Sequence, residues 1–269
     1  MRQGSDPSGR DVAAPAGKCV MPTLPPGWQV HDIAPGARLR IVRAMPDLSA
    51  ALDSEIDRLW AAAQVRMDGK LFNGRVFSAD VIAADRLAGH WTEFRRIVAQ
   101  MDCPGLFAEL GLRPLAVSGV VHGPDGVVFG RRPAGAVYQP GQWQLPPAGS
   151  VDSGAARPDG TVDILAAVLA ELREELGLTP DVVCATQPLA IVEHAASHVL
   201  DLGIALRTAL TAAQIRAAHA AAGNAEYAGL EVVAIADLPG FLAEVAGDLT
   251  PQAPVFLARM GALSATRVG

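Results

Sequence analysis

The sequence predicts an α/β (α+β) fold, a sandwich of helices on a mixed sheet. Three observations predict it. Short β-branched segments alternate with segments of helical spacing, yet without strict strand–helix–strand order. Gly, Pro and Asp-Gly turn signals separate them. And 50% of the 269 residues are hydrophobic, ample for a packed core.

Residues 1–27 are rich in Gly, Pro, Ser and Asp and end in Pro25-Pro26-Gly27, the composition of a flexible arm. Leu39 to Val42 reads as a strand after a Pro-Gly turn. Leu48, Leu52, Ile56, Leu59 and Trp60 recur at helical spacing, so Leu48 to Val65 reads as a helix. Asp68-Gly69 and Asn73-Gly74 are turn signals around Leu71-Phe72. Phe77 to Ala83 follows as a strand, Glu93 to Met101 as a helix, and Pro104 to Leu110 as a short helical turn.

A second pattern starts near Pro114. Leu115 to Val121, the Asp125-Gly126 turn and Val127 to Arg132 read as a hairpin. Trp143 to Leu145 reads as an edge strand, and Thr161 to Leu176 as the strongest helix in the chain. Val182 to His194 and Val199 to Leu206 are strands, Thr211 to Ala222 a helix and Leu230 to Ile235 a strand. Pro239 to Val245 and Pro251 to Leu263 close the chain as helices. The expected division is an arm over 1–27, an N-terminal α/β extension over 28–112 and a main domain over 113–269.

Lys and Arg number 22 against 28 Asp and Glu, for a net charge of −6. That balance lacks the global basic field of a nucleic-acid binder, but a local patch can still hold a phosphorylated small molecule. Cys19, Cys103 and Cys184 are far apart and form no CxxC pair, which argues against zinc and against a disulfide scaffold. No signal-peptide pattern and no membrane-spanning run stand in the chain. The expectation is a cytoplasmic protein with no membrane partner.

The helix before Gly177 carries the chemistry. Leu165, Val168, Leu169, Leu172 and Leu176 fall on one stripe, and Glu171, Glu174 and Glu175 share the neighbouring face. Three adjacent carboxylates repel one another, and the C-terminal end of a helix dipole disfavours anions. A divalent cation removes the conflict, and carboxylate oxygens suit Mg²⁺ or Mn²⁺. A solvated acidic face is the plainer alternative.

Trp143-Gln144-Leu145-Pro146-Pro147-Ala148-Gly149, followed by Glu171-Leu172-Arg173-Glu174-Glu175-Leu176-Gly177-Leu178, resembles the box of the Nudix hydrolase superfamily. The resemblance covers roughly 114–240. It implies a Nudix-type α/β/α sandwich and Mg²⁺ or Mn²⁺ held by Glu171, Glu174 and Glu175. The box is divergent. The family's Arg falls on Ala170 and its early Glu on Ala155. Counted from Gly149, the Arg position should be 163 but stands at 170, so the loop carries seven extra residues around 155–160. Arg173 lies about 160° from Glu171 and Glu175 on a helical wheel and cannot replace the lost Arg. Asp152 or Asp163 could supply a carboxylate instead, and Arg131 or Arg132 a cation.

The resemblance further implies that water attacks a diphosphate phosphorus, its proton accepted by Glu226 or Glu193. Arg131 and Arg132 would pair with phosphates, and Glu193 and His194 would contact substrate. His194 and His198, four apart across a turn, read as structural if they do not touch it. Tyr138 and Trp143 could stack on a base or belong to the core. Gly69 to Phe77 contains Leu71-Phe72-Asn73-Gly74, similar to a stretch of the UDP-glucose pyrophosphatase branch, which points to a nucleotide sugar. The expected function is metal-dependent hydrolysis of a diphosphate bond in a nucleoside diphosphate linked to another moiety. The alternatives are a catalytically degenerate Nudix module that binds a nucleotide and regulates, and an interaction protein whose acidic helix is only a face. A homodimer is compatible with the resemblance.

Overall fold

The computed structural model describes residues 24–136, 139–222 and 225–263. Most of the expected arm, Tyr138 and Asn224 lie outside the described residues. In chain order the elements are β1 (Gln29–His31), β2 (Arg38–Ile41), α1 (Ala50–Arg66), β3 (Arg75–Ala83), β4 (Arg86–Glu93), α2 (Phe94–Asp102), α3 (Phe107–Leu110), β5 (Leu115–Gly123) and β6 (Gly126–Arg131). Then follow β7 (Trp143–Gln144), β8 (Ala148–Ser150), α4 (Ile164–Leu176), β9 (Val183–Glu193), β10 (Leu200–Thr208), α5 (Ala212–Ala222), β11 (Gly229–Val233), α6 (Leu238–Glu244) and α7 (Ala253–Met260).

Among the described residues, eight strands form a mixed sheet in the order β1-β9-β10-β5-β6-β11, with β8 on β5 and β7 on β6. The β10–β5 pair is parallel and its neighbours are antiparallel. Strand alternation sends Leu115, Val117, Leu200 and Leu202 to one face, where Val168, Leu172 and Leu176 of α4 and Ile215 of α5 cover them. Val120, Phe129 and Val192 go to the other face, under Leu238 of α6 and Phe256 of α7. The result is helix, sheet, helix. Each fully buried Leu or Val of α4 contributes on the order of 1.5–3 kcal/mol.

The smaller sheet runs β2-β4-β3. It packs onto the face of the large sheet that α4 covers: Phe77 and Leu87 share one core with Leu115, Val117 and Val168. The Phe77 and Ala79 amides donate to Val151 O and Arg113 O at 2.8 and 2.9 Å. The core is therefore continuous across residue 113.

Several expectations need correction. The acidic helix starts at Ile164 and not at Thr161, because the Asp163 side chain accepts from the Ala166 amide at 3.0 Å and caps it. Thr161 and Val162 instead close a small hairpin with Ala156, and that hairpin bridges to Arg40 of β2. The extra loop residues thus dock on the smaller sheet. The helix's buried stripe is Val168, Leu172, Glu175 and Leu176, while Leu165 is 39% exposed in the first turn. β4 is a strand the sequence hid. A Cβ at Gly89 would meet Ser78 O at 2.0 Å, so the close β3–β4 approach requires glycine.

Candidate active site

Gly177 ends α4 in a left-handed conformation, and its amide returns to Arg173 O at 3.1 Å. This fixes the last two turns against β8. Glu175 points inward and is only 3% exposed. Its Oε2 accepts from the Ala148 amide at 3.0 Å and from the Tyr227 hydroxyl at 2.6 Å. Tyr227 Oη in turn accepts from Gln144 Nε2 at 2.7 Å, and Gln144 Oε1 accepts from Arg132 at 3.0 Å. A continuous hydrogen-bonded chain therefore joins Arg132 to the buried carboxylate.

Glu171, one turn earlier, lies against Gly149. A Cβ at position 149 would sit 2.1 Å from Glu171 Oε1, so only glycine leaves room for this carboxylate. Burial pushes Glu171 up to about 7, aided by the negative charges of Glu174, Asp152 and Glu226. Glu175 is pushed up to about 8, again chiefly by burial, with Glu171 and Glu226 adding to it against the Tyr227 and Ala148 hydrogen bonds. Burial and the Glu175 charge push Tyr227 well above the ordinary tyrosine value, so its hydroxyl stays a donor. Glu174 is exposed.

A cleft of about 380 Å³ crosses the strand ends beside these carboxylates. Ala148 and Gly149 border it, as do Arg132 and Glu226, while Phe94, Ile97 and Met101 of α2 form an apolar wall. The N-terminal residues build that wall. Asn73 Oδ1 accepts from the Arg95 amide at 2.8 Å and Gly74 O from the Phe94 amide at 2.9 Å, which starts α2. Gln100 donates to Leu112 O and to Ser197 O at 2.9 and 3.2 Å, which ties α2 to the β9–β10 turn.

The sequence-derived candidates divide in two. Glu171, Glu174, Glu175, Glu226, Asp152 and Arg132 gather around Gly149 and the cleft. Asp163 is at the other end of α4, capping it and paired with Arg157. Arg131 points to the far side, over Trp143 and 3.6 Å from Asp248. Trp143 packs on Phe241. Glu193 is buried between His31, His198 and Arg113 at 3.0, 2.9 and 3.2 Å. His194 is buried, 2.7 Å from Asp201 and stacked on Trp28. Ala155, where the family's early Glu would stand, is in the apolar core. Among the described residues, no group of three or more His, Cys, Asp or Glu side chains is arranged to hold a metal ion by itself.

Sequence reasoning missed Tyr227, Gln144 and Asp201. Tyr227 follows Glu226 directly, but only the fold brings its hydroxyl to a helix 52 positions away. No helix among the described residues is long and apolar enough to cross a membrane.

No family model and no curated protein matches the chain. Some solved structures are similar over part of it. DR0079 from Deinococcus radiodurans is 20% identical over 54% of this chain and 81% of that one, with a TM-score of 0.37. The NUDIX domain of Shewanella oneidensis NrtR, solved with ADP ribose, is 17% identical over 55% and 85%, with a TM-score of 0.39. A NUDIX hydrolase from Nitrosomonas europaea is 15% identical over 55% and 88%, with a TM-score of 0.36. At such scores these likenesses carry no argument about function, which rests on the residues of the chain itself.

Proposed function

We propose that the chain is a Nudix hydrolase that cleaves a diphosphate bond in a nucleoside diphosphate linked to another moiety. The observation that carries this reading is the meeting of Glu171 and Glu175 at Ala148 and Gly149, beside a cleft bordered by Arg132 and Glu226.

The donor set fits a divalent cation. The neighbouring charges that bear on Glu171 come from Glu174, Asp152 and Glu226, all negative. Mg²⁺ takes one or two carboxylates and completes its shell with water and substrate phosphates, so it needs no full protein cage. Glu171, Glu174 and Glu175 would hold it. A bound cation supplies neutralisation of the phosphoryl oxygens and lowers the pKa of a bound water.

The chain's own residues do the rest. Arg132 pairs with a substrate phosphate through its planar guanidinium, steadied by Gln144. Glu226 accepts the proton of the attacking water. Tyr227 and the Ala148 amide hold the Glu175 carboxylate in one orientation. Phe94, Ile97 and Met101 keep one side of the cleft dry. The Leu71–Gly74 segment, whose likeness to the UDP-glucose pyrophosphatase branch points to a nucleotide sugar, anchors α2 through Asn73 and Gly74.

A second reading has an observation of its own. Ala155 is buried among apolar side chains and Ala170 is exposed, where the family box carries Glu and Arg. A domain that binds a nucleotide without cleaving it is consistent with both. Hydrolysis of a panel that includes UDP-glucose, ADP-ribose and nucleoside triphosphates decides between them. The panel is run with Mg²⁺, with Mn²⁺ and with chelator, beside Glu174→Gln and Glu175→Gln. Metal-dependent cleavage lost in either variant supports the hydrolase. Metal-dependent binding without turnover supports the module.

A further inference from the structure

The cleft has a polar floor for which hydrolysis has no use. Ser118, Asp201 and Gln252 line it, and they are 4%, 6% and 5% exposed. Asp201 faces the cleft because strand alternation sends Leu200 and Leu202 into the core on the opposite face. Its neighbour across the parallel register is Ala116, whose small side chain also lines the cleft and leaves space beside the carboxylate.

The carboxylate is held from behind. His194 Nε2 lies 2.7 Å from Asp201 Oδ2, and Trp28 stacks on the His194 ring at 4.0 Å. Among the described residues, Oδ1 takes no protein hydrogen bond and is open to solvent. A carboxylate braced on one oxygen and open on the other at the floor of a cleft can accept a donor from a ligand.

The surroundings say what that donor is. Ile97, Met101 and Val199 make this end of the cleft apolar, suited to a flat ring. The carboxylates of α4 meet the sheet at β8, two strands from β10 in the order β10, β5, β8. Two strand spacings are about 10 Å, roughly the length of a nucleoside.

We propose that Asp201 recognises the nucleobase, accepting N–H donors from the edge of an amino-bearing base, with guanine preferred over uracil. Guanine offers two parallel donors to one carboxylate. Uracil offers one N–H flanked by two carbonyl oxygens, which a carboxylate repels. The inference rests on the hydrolase reading only for the location of the phosphates.

Calorimetric titration of GMP, dGMP and UMP into the full chain with Mg²⁺ tests it, since none of the three has an anhydride bond to cleave. GMP and dGMP should bind alike and roughly tenfold to a hundredfold tighter than UMP. Asp201→Asn, which presents an amide donor and an acceptor, should lose most of that preference. Should this variant fail to fold, the wild-type ratio of GMP to UMP decides alone. UMP binding as tightly as GMP, a preference that disappears with dGMP, a preference kept by Asp201→Asn, or no binding of any of the three overturns the proposal. Equal binding of GMP and UMP leaves the hydrolase reading standing, and an absence of turnover in the substrate panel leaves this titration intact.

Discussion

The Tyr227 hydroxyl donates to Glu175 Oε2 across 2.6 Å in the interior of the protein. This bond joins a loop after α5 to the last turn of the acidic helix. Its other side leads through Gln144 to Arg132 at the cleft. A carboxylate fixed in this way is already oriented before any cation arrives.

Tyr227→Phe should therefore keep the fold and lose function. The ring still fills its space against Gly130, but Glu175 keeps only the Ala148 amide. The expected stability cost is about 1–3 kcal/mol, read by urea denaturation. Cation-dependent turnover should fall by at least about tenfold.

Gly149→Ala should separate stability from function in another way. The new Cβ collides with the flexible end of Glu171, which must rotate away. The stability change should stay within about 1 kcal/mol while cation affinity falls by roughly tenfold or more. A large loss of stability with unchanged cation affinity would show that Glu171 has no such role.

Arg132 and Arg131 are adjacent in sequence and opposite in expectation. Arg132 borders the cleft, whereas Arg131 lies over Trp143 near Asp248. Arg132→Ala should raise KM for an anionic substrate by roughly tenfold or more. Arg131→Ala should leave kinetics unchanged and stability within about 0.5 kcal/mol.

Glu193 gives a pH dependence remote from the α4 carboxylates. Burial alone would raise it, but hydrogen bonds from His198, His31 and Arg113 hold it below the usual carboxylate range. Such a group contributes stability that is present above its unfolded pKa of about 4.3 and lost as pH falls through the lower folded value. Glu193→Gln should therefore be less stable than wild type at pH 7, with the gap narrowing by pH 3. Urea denaturation at the two pH values checks it.

Much of the fold was legible because its signals are local. Apolar spacing marked α1, α4 and α7, and Asp125-Gly126 marked the β5–β6 turn. The acidic cluster on α4 was legible for the same reason, since positions three and four apart must neighbour each other on a helix. β4 was hidden because Gly89 and His90 have no strand signature by themselves. Tyr227, Gln144 and Asp201 were hidden because their roles depend on tertiary contacts: a hydroxyl over Glu175, an amide between Arg132 and Tyr227, and a carboxylate braced by His194. Arg131 and Arg132 could not be told apart from sequence, since strand pleating alone sends them to different sides of β6 and its exit.

The central claim is that Glu171 and Glu175 hold a divalent cation. Mn²⁺ titration followed by electron paramagnetic resonance, on wild type and on Glu171→Gln and Glu175→Gln, tests it without requiring turnover. Saturable Mn²⁺ binding in wild type, weakened at least about tenfold in each variant, is the predicted result. Saturable binding of equal strength in all three proteins, or none in wild type with a nucleoside monophosphate present, would contradict the account.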